Sequence, residues 1–276
     1  MSIDVRNLTF RYDRGTSLEK TSLEDVSLSI DKGEFVLIGG EIGSGKSTLV
    51  RHFNGLLKPF SGQVTVDGMA AHEKKVKARV GVLFQFPQQQ LFGRTVFEDV
   101  AFGPRNFGYR GNELDLQVHS ALELLGLGKE IYSVSPFRLS GGQMRLVAIA
   151  GVLASRLDYI VLDEPFSGLD AENKKILLSA LRHLNSRGTS VIVVSHRMSD
   201  LLSVADRVFL LDQGNLVFGG TPAEYVKHAP SHLPEITCLM KELRRKGFDV
   251  RGDIFNIDDA FSEISRVLNT KEAVRR

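Results

Sequence analysis

The sequence predicts an α/β fold on a largely parallel sheet, and three observations predict it. Residues 35–38 (Phe, Val, Leu, Ile) form an unbroken apolar run that ends in Gly39 and Gly40 and hands over to a helix near Lys46. A strand that is apolar on both faces is buried on both faces, as strands of parallel sheets are. Residues 159–162 and 191–194 repeat this pattern with an amphipathic helix, 171–187, between them, the order of a parallel crossover. The stretch 87–156 has helical texture throughout, so helices are inserted between two strands of the sheet. The 276 residues suit one large domain or roughly two of ordinary size.

Taken in order, the chain opens with strands. Leu8, Phe10 and Tyr12 share one face at period two, and Val26, Leu28 and Ile30 repeat it, with a polar, turn-like stretch at 14–24 between them. Further strands are expected at 62–66 and 80–84, and helices at 114–127 and 142–154. Residues 208–211 and 216–218 flank Asp212-Gln-Gly-Asn and read as a hairpin. Thr221 and Pro222 then supply a helix cap with proline in the first turn. Beyond it, Leu233, Ile236, Leu239, Met240 and Leu243 form one helical face stopped by Gly247. Phe261, Ile264, Val267 and Leu268 form another, beginning after Asp258. Residues 222–276 are therefore expected to be a small helical extension of a domain spanning 1–221, whose helical subdomain occupies about 87–157. No internal repeat is visible.

Composition narrows the function classes. At 42% hydrophobic and 25% charged residues, the chain is neither collagen-like nor disordered. A lone Cys238 makes no internal disulfide and fits a reducing compartment. Lys and Arg total 35 against 33 Asp and Glu, which gives no reason to expect bulk nucleic-acid affinity. The longest nearly uninterrupted apolar stretch, 146–154, is half of what a membrane-spanning helix needs, and charges stand where a leader peptide would need its apolar run. The expectation is a cytoplasmic protein, or one that docks on a membrane without entering it.

Three motifs carry chemistry. Gly40, Glu41, Ile42, Gly43, Ser44, Gly45, Lys46 and Ser47, with Thr48 behind them, fit the phosphate-loop pattern between a buried strand and a helix. Glycines let successive backbone N–H groups turn toward phosphate oxygens, and the helix N-terminus adds partial positive charge there. Lys46 supplies a point charge for the β and γ phosphates, and the Ser47 hydroxyl can ligate Mg²⁺. A second motif ends the strand 159–162 in adjacent carboxylates, Asp163 and Glu164, which strand alternation should aim in different directions: one to a Mg²⁺ shell, the other to a water near the γ-phosphate. The third, Ser140, Gly141, Gly142 and Gln143 after Leu139, sets a hydroxyl and N–H groups at a helix start, a second anion-binding element; alone it would be an ordinary serine-capped helix.

In this order, phosphate loop, then LSGGQ, then a hydrophobic strand ending in Asp-Glu, the set resembles the nucleotide-binding subunits of ATP-binding cassette (ABC) transporters over residues 1–221. The resemblance implies a P-loop nucleoside triphosphatase of the ABC type, with a mixed sheet, an inserted helical subdomain, and ATP and Mg²⁺ as ligands. It also implies head-to-tail pairing with a second ATPase subunit, so that Ser140–Gln143 acts on ATP held by the partner. Further roles follow from the same resemblance. Gln85 would sense Mg²⁺ and the attacking water, and Asp170 would reach across the dimer. His196 would contact the γ-phosphate, and Tyr12 would stack on adenine. Each has a plainer structural reading: His196 and Tyr12 as core residues, Gln85 as a polar strand end.

A narrower likeness is to the ATPases of energy-coupling factor (ECF) transporters, importers of vitamins or transition-metal ions. It rests on the runs beginning at Phe84 (FQFPQQQLF), Thr95 (TVFEDVAFGP) and Gln143 (QMRLVAIAG), and on Arg14-Gly-Thr-Ser-Leu-Glu-Lys near the start. It implies an integral membrane coupling protein docking near residues 88–104, a separate membrane subunit that binds the cargo, a peripheral location on the cytoplasmic face, and a C-terminal extension that helps hold the dimer. Two places depart from the family pattern: Glu41 and Ile42 stand in the phosphate loop instead of small or neutral residues, and Leu146 replaces a second basic residue after Arg145. Three other readings remain open at this level: the ATPase of another ABC permease, a soluble cassette protein, and a P-loop kinase. LSGGQ and the Asp163–Glu164 pair disfavour the kinase.

Overall fold

A computed structural model describes residues 1–228 and 233–274; for Asp200 and 269–274 it describes the backbone alone. The strands are β1 (Ser2–Tyr12), β2 (Lys20–Asp31), β3 (Phe35–Gly39), β4 (Ser61–Val66), β5 (Met69–Ala70), β6 (Val80–Leu83), β7 (Tyr159–Asp163), β8 (Ser190–Val194), β9 (Arg207–Asp212) and β10 (Asn215–Gly220). The helices are α1 (Lys46–Phe53), α2 (Lys74–Lys77), α3 (Val96–Val100), α4 (Phe102–Asn106), α5 (Gly111–Leu124), α6 (Gly141–Leu153), α7 (Ala171–Ser186), α8 (Ser199–Leu202), α9 (Pro222–His228), α10 (Glu235–Arg245) and α11 (Ile257–Val274).

Two sheets form. β2, β1, β4 and β5 make an antiparallel sheet, while β10, β9, β3, β8, β7 and β6 make a second in which only the edge strand β10 runs antiparallel. The apolar runs explain why the second sheet lies at the centre. Along β3, Val36 and Ile38 join the core between the sheets, while Phe35 and Leu37 join the core under the helices. β7 and β8 divide in the same way: Val161 and Ile192 face one core, Leu162 and Val193 the other. Both faces being covered, these strands need apolar residues at every position.

The helical insertion expected between strands is present as α3 to α6 with short 3₁₀ turns, packed on the second core through Val100, Val118, Leu122, Val147 and Ile149. The hairpin of β9 and β10 is present, and Thr221 caps α9 by accepting the Glu224 N–H.

Several expectations are corrected. Residues 14–24 are not all turn: β2 begins at Lys20, since Tyr12 pairs with Lys20 and Phe10 with Leu23 in the antiparallel ladder, so backbone pairing overrides a polar side-chain pattern. β6 stops at Leu83, one residue short of the expected Phe84. α11 begins at Ile257, before Asp258, with the Asn256 side chain accepting the Asp259 N–H. The two expected C-terminal faces are only partly buried. Met240, Val250, Ile254, Ala260 and Val267 form a small separate core, whereas Leu239 and Phe261 point outward, Phe261 73% exposed. Among the described residues no helix is long and apolar enough to cross a membrane.

Candidate nucleotide site and catalytic dyad

The site lies at the C-terminal ends of the adjacent parallel strands β3, β8 and β7, where open α/β sheets place ligands. Register brings the ends level: Ile38 pairs with Val194, and Val194 with Asp163. Three loops therefore leave the sheet side by side.

The loop after β3 carries the phosphate motif. Gly40 and Gly45 have φ of +140° and +100°, and a Cβ at Gly45 would lie 2.6 Å from the Ser22 carbonyl oxygen, so no other residue fits. Lys46 folds back into the loop. Its ammonium donates to the carbonyls of Gly40 (2.8 Å) and Glu41 (2.6 Å) and to Ser44 Oγ (3.3 Å). Lys46 is buried and, among the described residues, makes no ion pair. Burial pulls its pKa down, opposed by the negative charges of Glu164, Asp163 and Glu41. A desolvated cation inside a glycine-rich cradle suits an anionic ligand such as a polyphosphate. The two unusual loop residues face away: Glu41 is exposed and offers Lys46 only its carbonyl, and Ile42 is 91% exposed.

The loop after β7 separates the two carboxylates. Asp163, only 2% exposed, ends the strand beside Ser47. Burial pushes its carboxyl pKa up; the Ser47 hydroxyl opposes that, Glu164 adds to it, and Arg51 and Lys46 oppose it. No cluster of three His, Cys, Asp or Glu side chains is present among the described residues, so a bound Mg²⁺ would be held by Ser47 and Asp163 together with oxygens of the nucleotide. A hydroxyl and a carboxylate are the hard oxygen donors that ion takes.

Glu164 diverges from Asp163 for a reason other than strand alternation, a correction to the sequence reading. Its φ is +51°, a left-handed conformation that breaks the strand and swings the side chain toward β8. The Glu164 N–H donates to the Val194 carbonyl (2.9 Å). Its Oε1 accepts the His196 backbone N–H (2.8 Å) and lies 2.7 Å from His196 Nδ1; its Oε2 accepts the Ser195 hydroxyl at 3.4 Å. With Nδ1 engaged, Nε2 is the ring nitrogen of His196 without a hydrogen bond among the described residues. The plainer reading of His196 as a satisfied core residue fails, since the side chain is exposed and bound to Glu164.

Other expected site residues are placed differently. Tyr12 is tied to the phosphate-loop helix, its hydroxyl 3.2 Å from Thr48 Oγ1, which also accepts the Ser22 hydroxyl. Gln85 is exposed just beyond β6, and no hydrogen bond joins it to Ser47 or Asp163. Asp170 caps α7 by accepting the Asn173 N–H (2.8 Å). Ser140 and Gln143 form a reciprocal capping box at the start of α6, and no hydrogen bond joins 140–143 to the phosphate loop. Ser195, Ser22 and Arg145 enter the site with no role predicted for them; Ser195 had a visible signal in preceding His196 and Arg145 in following the LSGGQ motif by two residues, while Ser22 had none. Beside the phosphate loop and His196, a groove of about 1480 Å³ opens toward α10 and α11, lined in part by Ile42, Lys175, Leu239 and Ile257.

The comparisons with known proteins agree with this geometry. The family model for ABC transporters matches residues 23–167. A Methanosarcina acetivorans chain, assigned by name to ABC transporter ATP-binding proteins without a stated cargo, is 46% identical over 99% of this chain and 96% of its own length. The energy-coupling factor transporter ATP-binding protein EcfA2 of Caldanaerobacter subterraneus is 41% identical, covering 97% of this chain and 98% of the relative. Among solved structures, cbiO1 from Clostridium perfringens, described as part of the ABC transporter complex cbiONQ, superposes with TM-score 0.73 at 31% identity over 89% of this chain and 96% of that one. An ATP-binding cassette dimer in a post-hydrolysis state with ADP and Pi gives TM-score 0.72 at 30% identity, over 79% of this chain and 98% of that one. A phosphate loop facing a carboxylate–histidine dyad, on a chain matched end to end by such relatives, places it in the ABC transporter family as an ATP-hydrolysing subunit close to the ATPases of energy-coupling factor transporters.

Proposed function

We propose that this chain binds and hydrolyses ATP to power an energy-coupling factor transporter that takes up a vitamin or a transition-metal ion. The observation that carries the reading is the extent of the EcfA2 likeness, 97% of the chain, which takes in the residues after 221 as well as the cassette. Residues 1–221 would be the cassette, with its helical subdomain at about 87–157, and 222–276 an extension serving the dimer.

In this reading the cradle of residues 40–48 holds the ATP phosphates, and Tyr12 stacks on the adenine. Ser47 and Asp163 would hold Mg²⁺, with Gln85 joining them as the cassettes close; the ion would neutralise phosphate charge. Glu164 orients a water and takes its proton, while His196, braced by Glu164, faces the γ-phosphate through Nε2. Ser140–Gln143 and Asp170 would act across the interface on ATP held by a second cassette; in this chain their hydrogen bonds are helix caps. The groove beside His196 and Ile42 opens on the face that such a partner would cover. The exposed Phe92 and Phe102, 4.8 Å apart edge to face, offer an apolar seat for a membrane coupling protein at the cytoplasmic surface.

His196→Ala is expected to abolish turnover while the thermal midpoint stays close to that of the unmodified chain. Full activity in that variant would return His196 to a structural role. The wider reading is tested by purifying the tagged chain from gently solubilised membranes and identifying its company by mass spectrometry. A small integral coupling protein, with or without a second cassette, is the expected result. Large channel-forming subunits would assign the chain to another ABC permease. Recovery from the cytosol without membrane proteins would move it to a non-transport role.

A further inference from the structure

Arg145 is a buried cation that the proposed chemistry leaves unused. It lies on α6, two residues beyond Gln143 of the LSGGQ motif, and is 7% exposed. Among the described residues it has no carboxylate within ion-pair distance, and burial alone acts on its ionisation. A desolvated guanidinium without a counter-charge is costly to keep. Among the described residues, the one hydrogen bond of its side chain runs out of the helical insertion into the site: Nη1 donates to the main-chain carbonyl of Glu164 at 3.3 Å.

That carbonyl belongs to the residue with the left-handed backbone. Left-handed conformations of non-glycine residues persist only where their surroundings over-determine them. Glu164 is held by its N–H to Val194, by the Ser167 N–H on its carbonyl (3.3 Å), by the His196 N–H on its carboxylate, and by Arg145. The first three come from the sheet and its own loops. Arg145 alone reaches Glu164 from the helix that Ser140 caps.

We propose that Arg145 is a positioning residue for hydrolysis: from α6 it holds the Glu164 carbonyl, keeping the backbone turned so that the carboxylate stays aimed at His196 and the attacking water. It thereby links the LSGGQ helix to the hydrolytic group of the same chain. This inference rests on the reading of Glu164 as the group that handles the water.

The test compares Arg145→Met, Arg145→Gln and Arg145→Lys with Glu164→Gln, in the full chain with the subunits that copurify with it. Neither Met nor Gln can make the contact, Met lacking a donor and Gln the reach. Both are expected to lower kcat on the order of ten- to a hundredfold, as befits loss of a charge-assisted hydrogen bond. ATP affinity should stay within about twofold in both, since α6 makes no hydrogen bond to the phosphate loop of its own chain. Arg145→Lys, which keeps a donor, should restore part of kcat. The thermal midpoint of Arg145→Met should hold or rise, because the variant removes an unpaired buried charge. A purely structural arginine would show the opposite pattern, stability falling with activity preserved per folded molecule. Unchanged kcat in Met and Gln, a matching loss of ATP affinity, or failure of both to fold would each overturn the proposal. Normal turnover in Glu164→Gln would instead overturn the reading beneath it.

Discussion

Glu164→Gln is expected to keep ATP binding and slow turnover by on the order of a hundredfold or more, the usual weight of a general base. The amide is close to the carboxylate in size and can still accept the His196 N–H through its oxygen, so the dyad keeps its shape. What it loses is the capacity to take a proton from water. Lys46 and the loop carbonyls it holds are untouched, so nucleotide affinity should persist. Equilibrium binding of a fluorescent ATP analogue beside steady-state phosphate release separates the two effects. Turnover equal to that of the unmodified chain would remove Glu164 from the chemistry.

Lys46→Ala should act on the opposite quantity. The ammonium is the single buried cation inside the loop, and it donates to the carbonyls of Gly40 and Glu41. Its low-dielectric setting makes each contact to a phosphate oxygen stronger than on the surface. Loss of one charge-assisted contact should weaken ATP binding roughly ten- to a hundredfold. Calorimetric titration with ATP measures it directly. Undiminished affinity would contradict the phosphate-loop assignment, whatever happened to hydrolysis.

Both expectations start from residues that were legible without coordinates, because short-range physics governs them. An unbroken apolar strand, a glycine run and a helix start lie within 20 residues of each other between Phe35 and Phe53, and their order alone produces an anion cradle. The dyad was less legible. Glu164 and His196 are 32 residues apart, and what joins them is the adjacency of β7 and β8, visible only as two similar apolar runs. The two carboxylates do diverge, but the reason was not legible, because strand alternation says nothing of a residue held left-handed by hydrogen bonds from three different segments. Tyr12 likewise meets Thr48 through a separate sheet, a contact no local pattern encodes. The C-terminal helices show the same limit. Periodicity identified an apolar face on each, yet Leu239 and Phe261 remain exposed, since a face is buried only when another element covers it.

By itself the sequence determined the α/β class, the positions of the phosphate loop, the LSGGQ element and the paired carboxylates, and the division of each central strand between two cores. Backbone geometry, side-chain period and residue chemistry act over a few positions, and those are written locally. Tertiary structure alone decided that Asp163 stays beside Ser47 while Glu164 turns to His196, and that Arg145 reaches the Glu164 carbonyl. Each of these is a meeting of segments far apart along the chain, and its geometry exists only once the sheet has set the strand order.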